Sequence, residues 1–350
     1  MPYLLKYSLK RIALAVVTLF IILTITFFLV KSLPDQAISG NTVSQVAYCN
    51  DMVSQGYYLA FHAEMSGYGS PVISPYTDPT GLVWYYYRAP LIQQYGAWLK
   101  GVFTSWDWGV STVISDQTDV WYVIVERLQP TVLINIVAVI ISVPLGFVFG
   151  IIAALNKNKP IDSVISTLVM VFISVPSFVI ISLLILWMGY YGGLPTHWPT
   201  SLNPTVGEIA PAMVIPVLAL CFGTIASFTR YTRAELCEVM SSDFMLLART
   251  KGLSKTQCIT KHAIRNSLVP LVPMIVGEFV GILGGSMVLE NLYSIPGIGS
   301  LFISSINGKD YNLLMADMAV YTAIGLAANL LVDLTYGIVD PRIRMGAKAS

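Results

Sequence analysis

The chain has 350 residues, of which 55% are hydrophobic and only 11% charged, and its mean hydropathy is +0.69. A soluble domain carries about a quarter charged residues, so this chain cannot coat a water-facing surface and lipid must cover much of it. The net charge of +1 points to no nucleic-acid partner, and Cys49, Cys221, Cys237 and Cys258 show neither paired spacing nor a metal-ligand pattern.

A bilayer-crossing helix needs about 20 apolar residues. Six segments qualify: 12–30, 131–155, 163–188, 209–229, 267–289 and 318–339. The expected fold is therefore an all-α polytopic membrane protein with six transmembrane helices. The first span follows a basic start. Its apolar run exceeds that of a signal peptide and no small-residue cleavage site follows, so it reads as a retained anchor.

The long segment 35–130 comes next. Its first part, to about residue 81, is rich in Gly, Ser, Pro, Tyr and Asn, including Ser66-Gly67-Tyr68-Gly69-Ser70-Pro71, and is expected to be mostly irregular. Its second part, 84–130, mixes aromatic and apolar residues and is expected to form short helices at the membrane surface, with 120–128 leading into the second span. Residues 156–160 form a tight turn between spans two and three. Pro144, Pro176, Pro211, Pro216, Pro270 and Pro273 are expected to kink or end spans.

Between spans four and five lies the hydrophilic loop 231–266. Asp243 is a plausible N-cap, its carboxylate favouring the positive helix end. Phe244, Leu247, Ala248 and Lys251 then fall at i, i+3, i+4 and i+7, on one helical face. Arg249 and Lys251 occupy the last turn, and Gly252 stands where a left-handed residue is needed. Ser254-Lys255-Thr256-Gln257 has the capping-box pattern and starts a second helix. Physics alone allows two readings of this helix–turn–helix: a docking element for another protein, or an amphipathic linker on lipid headgroups.

Carboxylates inside spans are costly and count as functional hypotheses. Glu278 lies mid-span between Gly277 and Gly281 which, with Gly285, form a small-residue stripe that permits close helix approach. It reads either as a pathway residue or as a carboxyl bonded to a neighbouring helix. Asp333, with Asn329 one turn earlier, reads as an inter-helix clamp or a pathway group. Glu290 reads as a gate or a loop anchor.

Orientation follows from lysine and arginine. With the N-terminus inside, the inner segments hold fifteen such residues and the outer ones five (Lys31, Arg88, Lys100, Arg127, Lys309). Both termini are thus expected in the cytoplasm. Trp84, Trp98, Trp106, Trp108, Trp121, Trp187 and Trp198 all fall in or beside outer segments, as in an interfacial aromatic belt.

Several ordered motifs together resemble one family. Residues 244–254 and His262-Ala263-Ile264-Arg265-Asn266 resemble the EAA loop of membrane subunits of binding-protein-dependent ABC importers, in the oligopeptide/dipeptide permease version. Leu246 and Leu247 stand where the general pattern has Glu and Ala, whereas Ala248 and Gly252 match it. Glu290 followed by Ser294-Ile295-Pro296-Gly297-Ile298-Gly299 is similar to that family's turn after span five, and 329–336 with Asp340-Pro341-Arg342-Ile343-Arg344 to its C-terminal end. Trp106-Asp107-Trp108-Gly109 stands where the family often has a Gly-Asp-Leu-Gly motif. Residues 35–88 are longer than usual for it.

The resemblance implies a type I importer permease: residues 1–34 as N-terminal segment and first helix, 35–130 as an extracytoplasmic segment, 131–344 as a five-helix core containing the coupling loop, and 345–350 as a cytoplasmic tail. It implies a multi-pass protein of a bacterial or archaeal cytoplasmic membrane. The implied partners are a second homologous permease, two cytoplasmic ATPase subunits, an extracytoplasmic substrate-binding protein (lipoprotein or periplasmic) and a peptide substrate. Docking on an ATPase would fall to Asp243, Phe244, Leu247, Ala248, Arg249, Lys251 and Gly252, and the path or gate to Glu278, Glu290 and Asp333. Gly308-Lys309-Asp310 lacks the spacing of a phosphate-binding loop, so no catalytic, cofactor or metal residue is expected here, and ATP and Mg belong on the ATPases. A nickel, glycoside or other small-solute importer has the same architecture. A polytopic membrane enzyme is the remote alternative.

Overall fold

The computed structural model describes residues 2–33, 41–115, 117–201 and 203–339. The motif Asp340–Arg344 and the tail 345–350 lie outside the described residues. The chain divides into two compact units. One comprises Met1–Leu19, Ile124–Ile303 and Val320–Ser350; the other comprises Phe20–Val123 and Ser304–Ala319.

The second unit holds the long segment. Helix α1 (Pro2–Lys31) ends there and is followed by α2 (Thr42–Ser54), whose N-cap Asn41 accepts from the Ser44 N–H at 2.9 Å. Residues 62–75 carry no helix or strand, as expected of a mostly irregular stretch, but α2 and a small sheet were not expected. Strands β1 (Tyr58–Phe61), β2 (Tyr76–Thr77) and β3 (Val83–Arg88) form an antiparallel sheet in the order β1-β3-β2, with Tyr58 opposite Arg88 and Tyr76 opposite Trp84. The aromatic run Trp84-Tyr85-Tyr86-Tyr87 suits a pleated, half-buried surface, and the Gly- and Pro-rich residues are only the connections. Tyr58, Tyr86 and Ile73 bury with Cys49 of α2 as a small core. Asp78 organises the β2–β3 turn: its carboxylate accepts from the Thr80 hydroxyl, from Trp84 Nε1 and from the Leu82 and Thr80 N–H groups. These donors hold its pKa down to about 2.

Where several short helices were expected over 84–130, one helix, α3 (Leu91–Ser105), lies between strand β3 and two further strands. Strands β4 (Val110–Ser111) and β5 (Thr118–Asp119) follow. Asp310 is fully buried and fixes the turn between them, accepting from Ser111 Oγ at 2.6 Å and from the N–H groups of Thr112, Val113 and Ile114. The aromatic-belt expectation is corrected for part of the set. Trp98 and Trp108 are buried and pack edge-on, and Trp106 stacks on Trp121. Trp198 is also buried, whereas Trp106 and Trp187 face outward.

The first unit is built from α4 (Val120–Leu155), α5 (Pro160–Ser174), α6 (Ser177–Leu184) with a π-helical extension Ile185–Tyr191, and α7 (Val206–Met240). Then come α8 (Asp243–Thr250), α9 (Lys255–Cys258), a π-helical turn Ile259–Ala263 and α10 (Ile264–Ser267). After these run α11 (Val272–Gly281), a 3-10 turn Ile282–Gly284, α12 (Met287–Leu292), α13 (Ile298–Gly308) and α14 (Tyr311–Val339).

Among the described residues five helices are long and apolar enough to cross a membrane, and a sixth candidate is the pair Pro160–Ser174 and Ser177–Tyr191, bent by 100°. The third span is therefore not one straight helix. Pro176 has no N–H to donate and pushes the residue before it out of the helical region, and Val175 is extended. Pro130 and Pro144 lie inside α4, and Pro211 and Pro216 inside α7.

Helices α4 and α7 meet at Gly146 and Gly150. A Cβ at Gly146 would stand 2.5 Å from Phe228, and one at Gly150 2.5 Å from Thr232. Of the later glycine stripe only Gly285 sits in such a close approach, where a Cβ would stand 2.7 Å from Thr131 of α4; the space beside Gly281 is open, and a Cβ on Gly277 would make only ordinary contact with Val332 at 3.5 Å.

Candidate functional site: a capped loop and three carboxylates

The loop expected to start at residue 231 starts later, because α7 continues to Met240. Ser241 and Ser242 then turn the chain, their hydroxyls donating back to the carbonyls of Glu238 and Val239. Ser242 is extended and occupies the N-cap. Asp243 is thus the first helical residue rather than the cap, still within the first turn where a carboxylate favours the helix end.

The C-terminal end of α8 forms as the sequence suggests. Gly252 has φ +85°. Its N–H donates to the Arg249 carbonyl at 3.0 Å, and the Leu253 N–H donates to the Ala248 carbonyl at 3.3 Å. That pair of bonds is a Schellman motif, which needs a left-handed residue between helix and exit. Immediately afterwards, Ser254 Oγ accepts from the Gln257 N–H at 3.3 Å while Gln257 Oε1 accepts from the Ser254 N–H at 3.0 Å. This reciprocal capping box starts α9.

Packing decides which side of α8 faces out. Met245 and Ala248, three residues apart, are buried with Ala154 of α4, Leu236 of α7, Cys258 of α9 and Ala263. The face grouping of Phe244, Leu247, Ala248 and Lys251 is corrected: Ala248 points into the core. Residues 244–248 are all apolar, so periodicity does not say which of them turn inward. The exposed set is Phe244 (43%), Leu246 (63%) and Leu247 (55%), with Asp243, Arg249, Lys251 and Gly252 also exposed.

A further element was not read from the sequence. Arg233 of α7 grips Asp162 of α5 with two parallel bonds, Nε to Oδ1 at 2.6 Å and Nη2 to Oδ2 at 2.8 Å. Asp162 also accepts from the Asn158 N–H at 2.9 Å. The fork geometry of guanidinium and carboxylate makes this a directional pair. It ties the 156–160 turn to the same helix from which the loop departs. The only signal in the chain is an acid just ahead of the third span; a partner 71 residues away has no local signature.

The three candidate path carboxylates have different surroundings. Glu278 of α11 is half-buried and lines a cavity of about 440 Å³ with Pro176, Ser177, Thr224 and Ser227. Its carboxylate has no hydrogen-bond or ion-pair partner among the described residues, so the bond to a neighbouring helix expected by one reading is not made. Glu290 of α12 is 2% exposed. It accepts from Thr131 Oγ1 at 2.9 Å and from the N–H groups of Gly299 and Ser300 at 2.7 and 3.1 Å. This is the geometry of an anchor that caps α13. Gly285, at φ +60°, Gly297 and Gly299 leave no room for a Cβ beside that carboxylate. Asp333 of α14 is paired with Arg11 of α1 at 3.0 Å, a clamp between helices.

Comparison with known proteins agrees with the motifs. Residues 146–345 match the family described as binding-protein-dependent transport system inner membrane component. The chain is 35% identical over 344 residues to the dipeptide transport system permease protein DppB of Lactococcus lactis, covering 97% of this chain and 99% of that protein. It is 32% identical to DppB of Bacillus subtilis, covering 98% and 99%. It is 31% identical to the oligopeptide transport system permease protein OppB of Haemophilus influenzae, covering 97% and 99%. The chain is a multi-pass helical membrane protein and belongs to the binding-protein-dependent transport system inner membrane component family.

Proposed function

We propose that this chain is a non-catalytic permease subunit of an ATP-driven type I importer for peptides, pairing with a second homologous permease. The peptide assignment is supported by relatives named as dipeptide and oligopeptide permeases over nearly their full length. Two cytoplasmic ATPases, carrying ATP and Mg, drive it, and an extracytoplasmic binding protein delivers the substrate. The lysine and arginine distribution supports a cytoplasmic position for both termini, for the loop 231–266 and for the tail 345–350. The segment 35–130 then lies outside, and 131–344 is the permease core.

One observation carries the docking role of the loop. Helix α8 is capped at its C-terminal end and anchored by Met245 and Ala248, while Phe244, Leu246 and Leu247 remain exposed beside Arg249 and Lys251. An exposed apolar patch rimmed by charge suits a protein cleft. In this reading Ala248 holds the helix, and Phe244, Leu247, Arg249 and Lys251 meet the ATPase. Asp243 and Gly252 set the two ends. Closure of the ATPase pair on nucleotide moves α8, and the Met245–Leu236 core with the Arg233–Asp162 pair passes that displacement to α7, α4 and α5 as rigid bodies. Glu278 lines the path, whereas Glu290 and Asp333 hold its walls.

The test is Gly252→Val in the assembled importer. A β-branched residue at φ +85° is strained by about 1–2 kcal/mol. The expected result is normal membrane insertion, continuing ATP hydrolysis and loss of peptide uptake. Wild-type uptake by this variant would remove the docking argument. Co-purification of the wild-type chain with a binding protein for nickel or a glycoside would overturn the peptide assignment and leave the architecture standing.

A further inference from the structure

The second unit contains a cavity of about 880 Å³, within the range of small-molecule sites. Its walls come from the end of α1, from α2, β1, β3 and α3, and from residues 309–312. The described lining residues include four cations (Lys31, Arg88, Lys100 and Lys309) and one carboxylate, Asp107, and Lys100 and Lys309 are exposed. This concentration is unusual in a chain with so few charges. These are also four of the five cations in the segments on this side of the first span.

The remainder of the wall mixes tyrosines and amides with hydroxyl and small apolar side chains. Lys31 Nζ lies 5.0 Å from the centre of the Tyr57 ring, a cation–π contact that holds the ammonium at the edge of the cavity. Burial, together with the nearby Asp107 charge, pushes the Tyr57 phenol up to about 12, so it is a neutral hydrogen-bond donor across physiological pH. Gln55 and Asn312 donate their amide N–H groups to Asp51 and to the Val110 carbonyl, which leaves amide oxygens as acceptors. A ligand matched to this wall has an anionic end, amide N–H groups along its length and an apolar or aromatic body.

We propose that this cavity is a binding site for short peptides, which it holds by the C-terminal carboxylate at Lys100 and Lys309. The proposal rests on the peptide-import reading above and adds to it a second place on this chain where the substrate is held, apart from the Glu278 cavity. Charge-assisted bonds to the carboxylate set the orientation, and the tyrosines accept side chains of differing size.

The test uses the full chain in nanodiscs of phosphatidylcholine, titrated with trileucine and with trileucine amide. The expected result is saturable binding of the acid that weakens about tenfold for the amide and for the double variant Lys100→Gln/Lys309→Gln, as loss of a charge-assisted bond implies. Added salt should weaken the acid more than the amide. Equal binding of acid and amide by the unaltered chain would overturn the proposal whatever the variants do, as would acid binding that the double variant leaves unchanged. Binding abolished in phosphatidylglycerol nanodiscs, with that lipid retained on the chain in native mass spectrometry, would assign the cations to a lipid headgroup and also overturn it. Uptake by the assembled wild-type importer separates the two readings: trileucine imported without binding here removes this site alone, and no import of any peptide removes the functional reading itself.

Discussion

Glu278 and Glu290 lie on one membrane-crossing segment, Val272–Leu292, and have opposite surroundings. Glu290 is closed in by one hydroxyl and two backbone N–H groups, with three glycines giving its carboxylate room. Glu278 faces a cavity and has no partner among the described residues. Burying a carboxylate with donors fixes a corner of the fold. Leaving one beside open space keeps it available to something that arrives. Span position alone gives the same cost for both; the donors around each separate their roles.

The largest expected effect tests the anchored side of this contrast. Glu290→Ala strands the Thr131 hydroxyl and the N-terminal N–H groups of α13, and should destabilise the chain by about 3 kcal/mol or more, read as a lowered melting temperature in detergent. A Glu290→Ala protein as stable as wild type would mean that the corner is held by something else. Next in size, Gly150→Val forces a side chain into Thr232 and the Thr229 carbonyl; such overpacking costs about 1–3 kcal/mol. Gly281→Ala, where the space is open, should be nearly neutral in the same melt. If both glycine variants behave alike, the helix contact assigned to Gly146 and Gly150 is misplaced.

Glu278→Gln should leave the melting temperature almost unchanged while lowering uptake of a cationic peptide relative to a neutral one of the same length. Unchanged discrimination would remove Glu278 from the path. The smallest effect concerns a half-buried carboxylate, Asp78. Its folded pKa of about 2 lies below its unfolded value, so its contribution is present above roughly pH 4. That contribution is lost as the pH falls through 2. Asp78→Asn should therefore flatten the acid limb of the second unit's stability curve and leave the neutral range alone, which urea melts across that pH interval would measure.

Some of this was legible in the chain. Apolar length located the spans, because lipid accepts only segments that satisfy their own backbone. Gly252 and the Ser254–Gln257 pair were readable because caps are local chemistry, completed within a few residues. The sheet was not read, since its strands are short and lie among Gly- and Pro-rich turns that dominate the composition of 35–81. The side of α8 that faces inward was hidden by five consecutive apolar residues. The Asp162–Arg233 pair and the Arg11–Asp333 pair join distant parts of the chain, and neither end carries a mark that names the other.

The sequence by itself determined the membrane-crossing architecture, the family and the capped turn of the loop, since each depends on length, composition or neighbouring residues. Only the tertiary structure decided that Ala248 turns inward, that Gly146 and Gly150 carry the close helix contact, that Pro176 bends the third crossing by 100°, and that Glu290 is anchored while Glu278 is not. These outcomes depend on which distant groups supply donors, fill space or leave it empty, and that is settled when the helices pack.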